Sequence, residues 1–141
     1  MKDAVREACA LLGAGEIVAL PTETVYGLAA DALNPAAVAK VFAAKERPSF
    51  DPLIVHIASR GDLKTVAMIP DDIAETVNKL TSAFWPGPLT IILPKHPDIP
   101  DLVTSGLPTV AVRQSAHPVF RAVNKELGRP IAAPSANRFG R

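Results

Sequence analysis

Lys45 and Arg47 stand one residue apart in Lys45-Glu46-Arg47-Pro48, and Ser135 and Asn137 repeat that spacing in Pro134-Ser135-Ala136-Asn137. Two cations and two small hydrogen-bonding side chains are what a pocket for a polyphosphate and its ribose requires. The cations neutralise phosphate charge, and the hydroxyl and amide orient the ligand. Other polar residues interrupt apolar surroundings. Thr22 and Tyr26 lie in Pro21-Thr22-Glu23-Thr24-Val25-Tyr26-Gly27, His56 breaks the run Leu53 to Ile57, and Arg113 closes Val110 to Val112. Taken singly, most have plainer readings. Lys45 and Arg47 fit a solvated helix end favoured by the macrodipole, Ser135 and Asn137 fit a turn, and His56 fits a hydrogen-bonded core histidine. Arg113 is harder to dismiss, because a charged head at the end of an apolar strand needs a partner or water.

Several chemistries are set aside by their missing patterns. There is no Gly-x-x-x-x-Gly-Lys-Ser/Thr, Gly-x-Gly-x-x-Gly, Gly-x-Ser-x-Gly or His-Glu-x-x-His. His56, His96 and His117 have no metal-ligand spacing, so no dedicated metal site is expected. Magnesium carried in by a nucleotide is compatible, since it binds mainly through phosphates and water. Cys9 sits within a helical pattern and has no environment that would activate a thiolate.

The elements that must position these residues alternate between helix and strand. Ala4, Val5, Ala8, Leu11 and Leu12 recur at helical spacing, and Gly13 and Gly15 end that helix before the strand Ile17 to Leu20. Asn34-Pro35 reads as an N-cap with proline at the first helical position, and Val38, Val41 and Phe42 mark a buried face running toward Lys45. Leu53 to Ile57 reads as a short strand. Asp71 is expected to cap a helix whose buried face is Ile73, Val77, Leu80 and Phe84. Trp85-Pro86-Gly87-Pro88 then turns the chain into a strand from Leu89 to Leu93. Val110 to Val112 and Ile131 to Ala133 read as strands, joined by a helix from Pro118 to Leu127 with Gly128 after it. Strands apolar on both sides require helices on both faces of the sheet. The expected fold is α/β with a twisted mixed sheet and a ligand cavity at strand ends, where the polar segments gather.

Composition bounds the rest. At 141 residues and 48% hydrophobic, the chain suits one core and one domain. A net charge of +1 disfavours a protein devoted to coating nucleic acid or an anionic membrane. One cysteine excludes an internal disulfide. With no leader pattern and no run approaching the ~20 apolar residues of a membrane span, a cytoplasmic protein without membrane contact is expected. The 14 prolines fall singly between periodic segments and act as punctuation.

Read in order, six blocks resemble the Sua5/YrdC/YciO family. They are Pro21 to Leu28, Lys45-Glu46-Arg47-Pro48, Pro52-Leu53-Ile54-Val55-His56, Phe84 to Thr90, Ala111-Val112-Arg113 and Ala133-Pro134-Ser135-Ala136-Asn137. The resemblance runs from about Gly15 to the last residue. It implies a YrdC/RibB-like fold and a threonylcarbamoyl-AMP synthase, which makes threonylcarbamoyl adenylate and pyrophosphate from L-threonine, bicarbonate and ATP. A transferase complex then uses the product to form N6-threonylcarbamoyladenosine in tRNA.

On this resemblance Lys45 and Arg47 carry the catalytic charge stabilisation, at the phosphates and the substrate carboxylate. Ser135 and Asn137 bond the nucleotide, and Thr22 and His56 hold threonine. Tyr26 lines the nucleotide side, Arg113 adds positive charge, and Mg2+ accompanies ATP. The family pattern continues past the Ser-Ala-Asn block, so residues 1–141 are expected to form a single YrdC-like domain incomplete at its C-terminal end. Gln114-Ser115-Ala116 stands where Met-Pro-Asp is frequent and reads as a loop variation. Two alternatives differ in class. A hydrogenase-maturation carbamoyl-transfer module would carry cysteine-rich zinc fingers, which one cysteine cannot supply. A double-stranded RNA or tRNA-binding accessory of the same fold would use its concave face for nucleic acid instead of synthesis.

Overall fold

The computed structural model describes residues 2–22, 26–44 and 52–134, with the backbone but not the side chain of Tyr26. Six strands form one sheet in the order β1-β2-β6-β3-β5-β4. They are β1 (Val18–Pro21), β2 (Tyr26–Asp31), β3 (Ile54–His56), β4 (Ile91–Pro94), β5 (Thr109–Arg113) and β6 (Ile131–Ala133). Only β3 and β5 pair in parallel; every other neighbouring pair is antiparallel. The sheet is therefore mixed, as expected. β6 bridges β2 and β3, so it joins the β1–β2 hairpin to the β3–β5–β4 half.

Strand pairing assigns the side chains to two faces, because registered partners point the same way and neighbours along a strand alternate. One face carries Leu20, Ala29 and Ile131. These pack with Val5, Ala8 and Leu12 of α1 (Lys2–Gly13) and with Phe120 and Val123 of α5 (Pro118–Leu127). The other carries Ala30, Ala132, Val55, Val110, Val112 and Leu93. It is covered by Val38, Val41 and Phe42 of α2 (Pro35–Ala44), by Leu63 and Val66 of α3 (Leu63–Val66), and by Val77 of α4 (Ala74–Phe84). Helices thus flank both faces.

The local signals behind α2 and α5 act as expected. Asn34 Oδ1 accepts from the backbone N–H of Ala36 at 3.1 Å and of Ala37 at 3.3 Å, satisfying two donors at the start of α2. At the start of α5, His117 Nδ1 accepts from the Val119 N–H. Gly128 ends α5 in the left-handed conformation, φ 70°, which an L side chain resists.

Two expectations about α4 are corrected. Asp71 makes no side-chain cap; residues Asp71–Ile73 form a 3-10 turn, and α4 begins at Ala74. The buried face is Val77 and Thr81, while Ile73, Leu80 and Phe84 are exposed, Phe84 to 56%. Trp85, just past the helix, fills the core instead and donates its Nε1–H to the Leu89 carbonyl at 2.8 Å.

β2 is a strand that the local sequence does not announce. Gly27, Ala29 and Ala30 have low strand propensity, and pairing with β1 on one side and β6 on the other overrides it.

Candidate functional site

One rung of the sheet carries most of the polar chemistry among the described residues. Asp31 of β2 pairs with Ile131 of β6, Ile131 with His56 of β3, and His56 with Arg113 of β5. All four point to the face that carries α1 and α5. At the left end Asp31 is buried; its Oδ1 accepts from the Leu33 N–H at 2.9 Å, and its Oδ2 takes Arg129 Nε at 3.2 Å. His56 is 3% exposed, with its ring centroid 4.5 Å from that of Phe120 on α5, the planes tilted by 44°. It packs as a core histidine and is the registered neighbour of Arg113.

Arg113 is half-buried at the end of β5. Its Nε and Nη2 both donate to Thr90 Oγ1, at 2.9 and 2.6 Å. Thr90 stands one residue before β4, beyond the pair Ile91–Val112, and so extends the same rung. The segment leading to it is tied down. The Gly87 N–H donates to the Gln114 carbonyl at 2.8 Å, and Gln114 Nε2 donates to the Ala58 carbonyl at 3.0 Å. A Cβ on Gly87 would come within 2.5 Å of the Phe84 carbonyl oxygen, so no larger residue fits that turn without backbone movement. Gln114 is itself buried, and the Ser115 Oγ accepts from the His117 N–H. The Gln114-Ser115 departure therefore takes part in the structure as more than a loop variation.

On the next rung toward the other end of the sheet Ala29, Ala133, Ile54 and Ala111 lie in line on the same face, the first three buried. A rung further, Gly27 pairs with Leu20 of β1. The Thr22 methyl lies 3.8 Å from the point a Gly27 Cβ would occupy. Thr22 is thus on the face of His56 and Arg113 but toward the opposite strand ends, separated from their rung by roughly 13 Å at about 3.3 Å per residue. The expected convergence of every polar segment at one set of strand ends is corrected here. β5 runs parallel to β3 while β6 runs against it, so Arg113 and Pro134 stand at opposite ends. What Thr22, His56 and Arg113 share is a face.

Lys45, Arg47, Ser135 and Asn137 lie outside the described residues, as does the Tyr26 side chain. Their described chain neighbours Pro52 and Pro134 stand next to each other at the Thr22 end, because Ile54 pairs with Ala133. A cavity of about 650 Å³ opens at the other end, lined by Ile57, Ser59, Asp62, Gln114, Arg121 and Lys125 among others, and of the expected site residues that are described none borders it. Among the described residues no cluster of three or more His, Cys, Asp or Glu could hold a metal, and no helix is long and apolar enough to cross a membrane. Burial pushes the Cys9 thiol up, with Glu126 adding in the same direction, so this cysteine is poorly suited to nucleophilic work.

Sequence reasoning assigned no role to Thr90, Asp31 or Gln114. Thr90 closes the segment Phe84 to Thr90, and its place next to Arg113 depends on the β4–β5 register, which no local pattern reveals.

A mixed sheet with helices packed on both faces defines an α/β domain. The Sua5/YciO/YrdC family model, described as telomere recombination, matches residues 10–141, and the chain belongs to this family. It is 48% identical over 137 residues to a threonylcarbamoyl-AMP synthase of Pyrococcus abyssi, covering 97% of this chain and 39% of that protein. It is 51% identical over 138 residues to the enzyme of that name in Bacillus subtilis, again covering 97% and 39%. The fold superposes on P. abyssi Sua5 complexed with L-threonine with a TM-score of 0.91 at 47% identity, over 100% of this chain and 41% of that one. Escherichia coli YciO, 19% identical with a TM-score of 0.82 over 100% of this chain and 67% of that one, shares the fold. The chain thus spans about two fifths of the length of these synthase relatives.

Proposed function

We propose that this chain belongs to a threonylcarbamoyl-AMP synthase and forms the face on which threonine, bicarbonate and ATP react. The observation that carries the reading is the match, over its whole length, to a Sua5 structure complexed with L-threonine. The threonine amine and bicarbonate form a carbamate with loss of water. A carbamate oxygen then attacks the α-phosphorus of ATP, the bond to the β-phosphate oxygen breaks, and pyrophosphate leaves. No covalent enzyme intermediate is needed, so the protein's work is positioning and charge stabilisation.

Lys45 and Arg47 neutralise phosphate and carboxylate charge, Ser135 and Asn137 bond the nucleotide, and Tyr26 lines its side of the site. His56 and Arg113, registered together, take the amino-acid end, with Arg113 supplying positive charge, and Thr22, roughly 13 Å along the sheet, meets the substrates at their other end. The span between the Thr22 and His56 rungs suits an extended pair of substrates better than one small molecule. Mg2+ arrives with ATP through phosphates and water, the reaction is cytoplasmic, and the product passes to a tRNA-modifying transferase complex.

The test is pyrophosphate release by the complete gene product with threonine, bicarbonate and ATP each omitted in turn. Release is expected only when all three are present. Release indifferent to threonine overturns the reading.

A further inference from the structure

Arg113 has three flexible bonds beyond its Cβ, and an arginine so placed loses considerable side-chain entropy on fixing one geometry. Thr90 removes that freedom in advance. Nε and Nη2 lie on one edge of the guanidinium plane, and both reach the same oxygen, at 2.9 and 2.6 Å. Two donors held on one acceptor set both the direction of the side chain and the rotation of its plane. Thr90 is in turn held at the head of β4 by the ladder beginning at Ile91–Val112. The turn before it is fastened through Trp85 to Leu89 and through Gly87 to Gln114. The β4–β5 pair has four registered residues of its own, so the sheet does not depend on this hydroxyl. Its contact is with the guanidinium.

We propose that Thr90 is a positioning residue for substrate binding: it pre-sets the Arg113 fork on the face shared with His56, so that the anionic end of threonine meets a cation already in place. This rests on the synthase reading given above. A pre-oriented cation raises affinity by lowering the ordering cost of binding, and it places no demand on the chemical step.

The test compares Thr90→Val, which keeps shape and removes the acceptor, with Thr90→Ser, which restores it, in the complete gene product. Thr90→Val is expected to raise KM for threonine on the order of tenfold, the scale of one hydrogen bond to a charged group. Its kcat and KM for ATP should stay within about twofold, with Thr90→Ser close to the parent. In an Arg113→Ala background Thr90→Val should add nothing. An unchanged KM for threonine overturns the proposal. So does an equal rise for both substrates, or a further loss in the Arg113→Ala background. The Arg113 Nε–H resonance gives a readout independent of turnover. If the parent protein shows no threonine-dependent release, the synthase reading fails, and the resonance alone judges the brace. Protection in the parent and in Thr90→Ser, lost in Thr90→Val, upholds it; equal protection in all three removes it.

Discussion

His56 and Arg113 are registered partners across the parallel β3–β5 pair, and the Ile57 N–H donates to the Arg113 carbonyl at 3.0 Å just beyond them. Two strands far apart in sequence therefore present a buried imidazole and a half-buried guanidinium on one rung. A change at either is expected to be felt in ligand binding.

Packing and ligand contact can be separated at His56. His56→Ala leaves the Phe120 ring uncovered in a fully buried site and is expected to cost about 2 to 4 kcal/mol. His56→Phe keeps most of the volume and is expected to cost less than about 1.5 kcal/mol while still impairing threonine binding. Urea denaturation and threonine titration of both variants check this; normal threonine binding by His56→Phe would leave the histidine a packing role alone.

Lys45→Ala and Arg47→Ala are each expected to abolish detectable pyrophosphate release with the fold intact. Every charge-assisted contact is worth roughly 1.5 to 3 kcal/mol, and each side chain is assigned more than one. Circular dichroism and release assays on the purified variants decide it, and near-normal release from either one removes that residue from the machinery.

Asp31 and Arg129 should respond unequally. Arg129 is 46% exposed while the Asp31 side chain is 3% exposed. Removing the arginine leaves a buried carboxylate that still accepts from the Leu33 N–H. Solvent screening of the exposed partner discounts the pair, so Arg129→Ala is expected to cost about 1 to 2 kcal/mol. Asp31→Ala, which also unties the turn at Leu33, is expected to cost more. Chemical denaturation of the two variants compares them directly.

Cys9 should react slowly with iodoacetamide at neutral pH. Burial and then Glu126 raise its pKa above 9.0, and its Sγ donates to the Val123 carbonyl at 3.5 Å. The sign for folding follows. The folded state holds the thiol proton more tightly than the unfolded chain, so this contribution is full below the unfolded pKa and is lost as pH rises through the folded one. Alkylation as fast as that of an unstructured cysteine peptide would contradict the burial.

Much of the scaffold is readable from local chemistry. The Asn34-Pro35 start of α2, the Pro118-to-Gly128 limits of α5 and the strand at Ile131 to Ala133 rest on a cap, prolines, a glycine and a short apolar run, which act over a few residues. The buried face of α4 was misread because Leu80 and Phe84 are apolar yet outward, and Thr81 takes the inner position by bonding its hydroxyl to the Asn78 carbonyl. β2 escaped notice because its glycine and alanines are strand-forming only between two partners. The candidate site divides in the same way. Residue types named Arg113 and His56, but that they share a rung, and that Thr90 braces one of them, are facts of register between segments more than 20 residues apart.

The position of β6 between β2 and β3 bears on how the chain comes together. Asp31 and Ile131 are neighbours across a hundred positions of sequence, and without β6 the hairpin and the three-stranded half have no shared ladder. During synthesis both halves must wait, each with a bare central edge, until Ile131 to Ala133 emerge. Such late, long-range closure slows folding and prolongs exposure of unpaired strands. Among the described strands the middle of the sheet is therefore sealed after its two flanks.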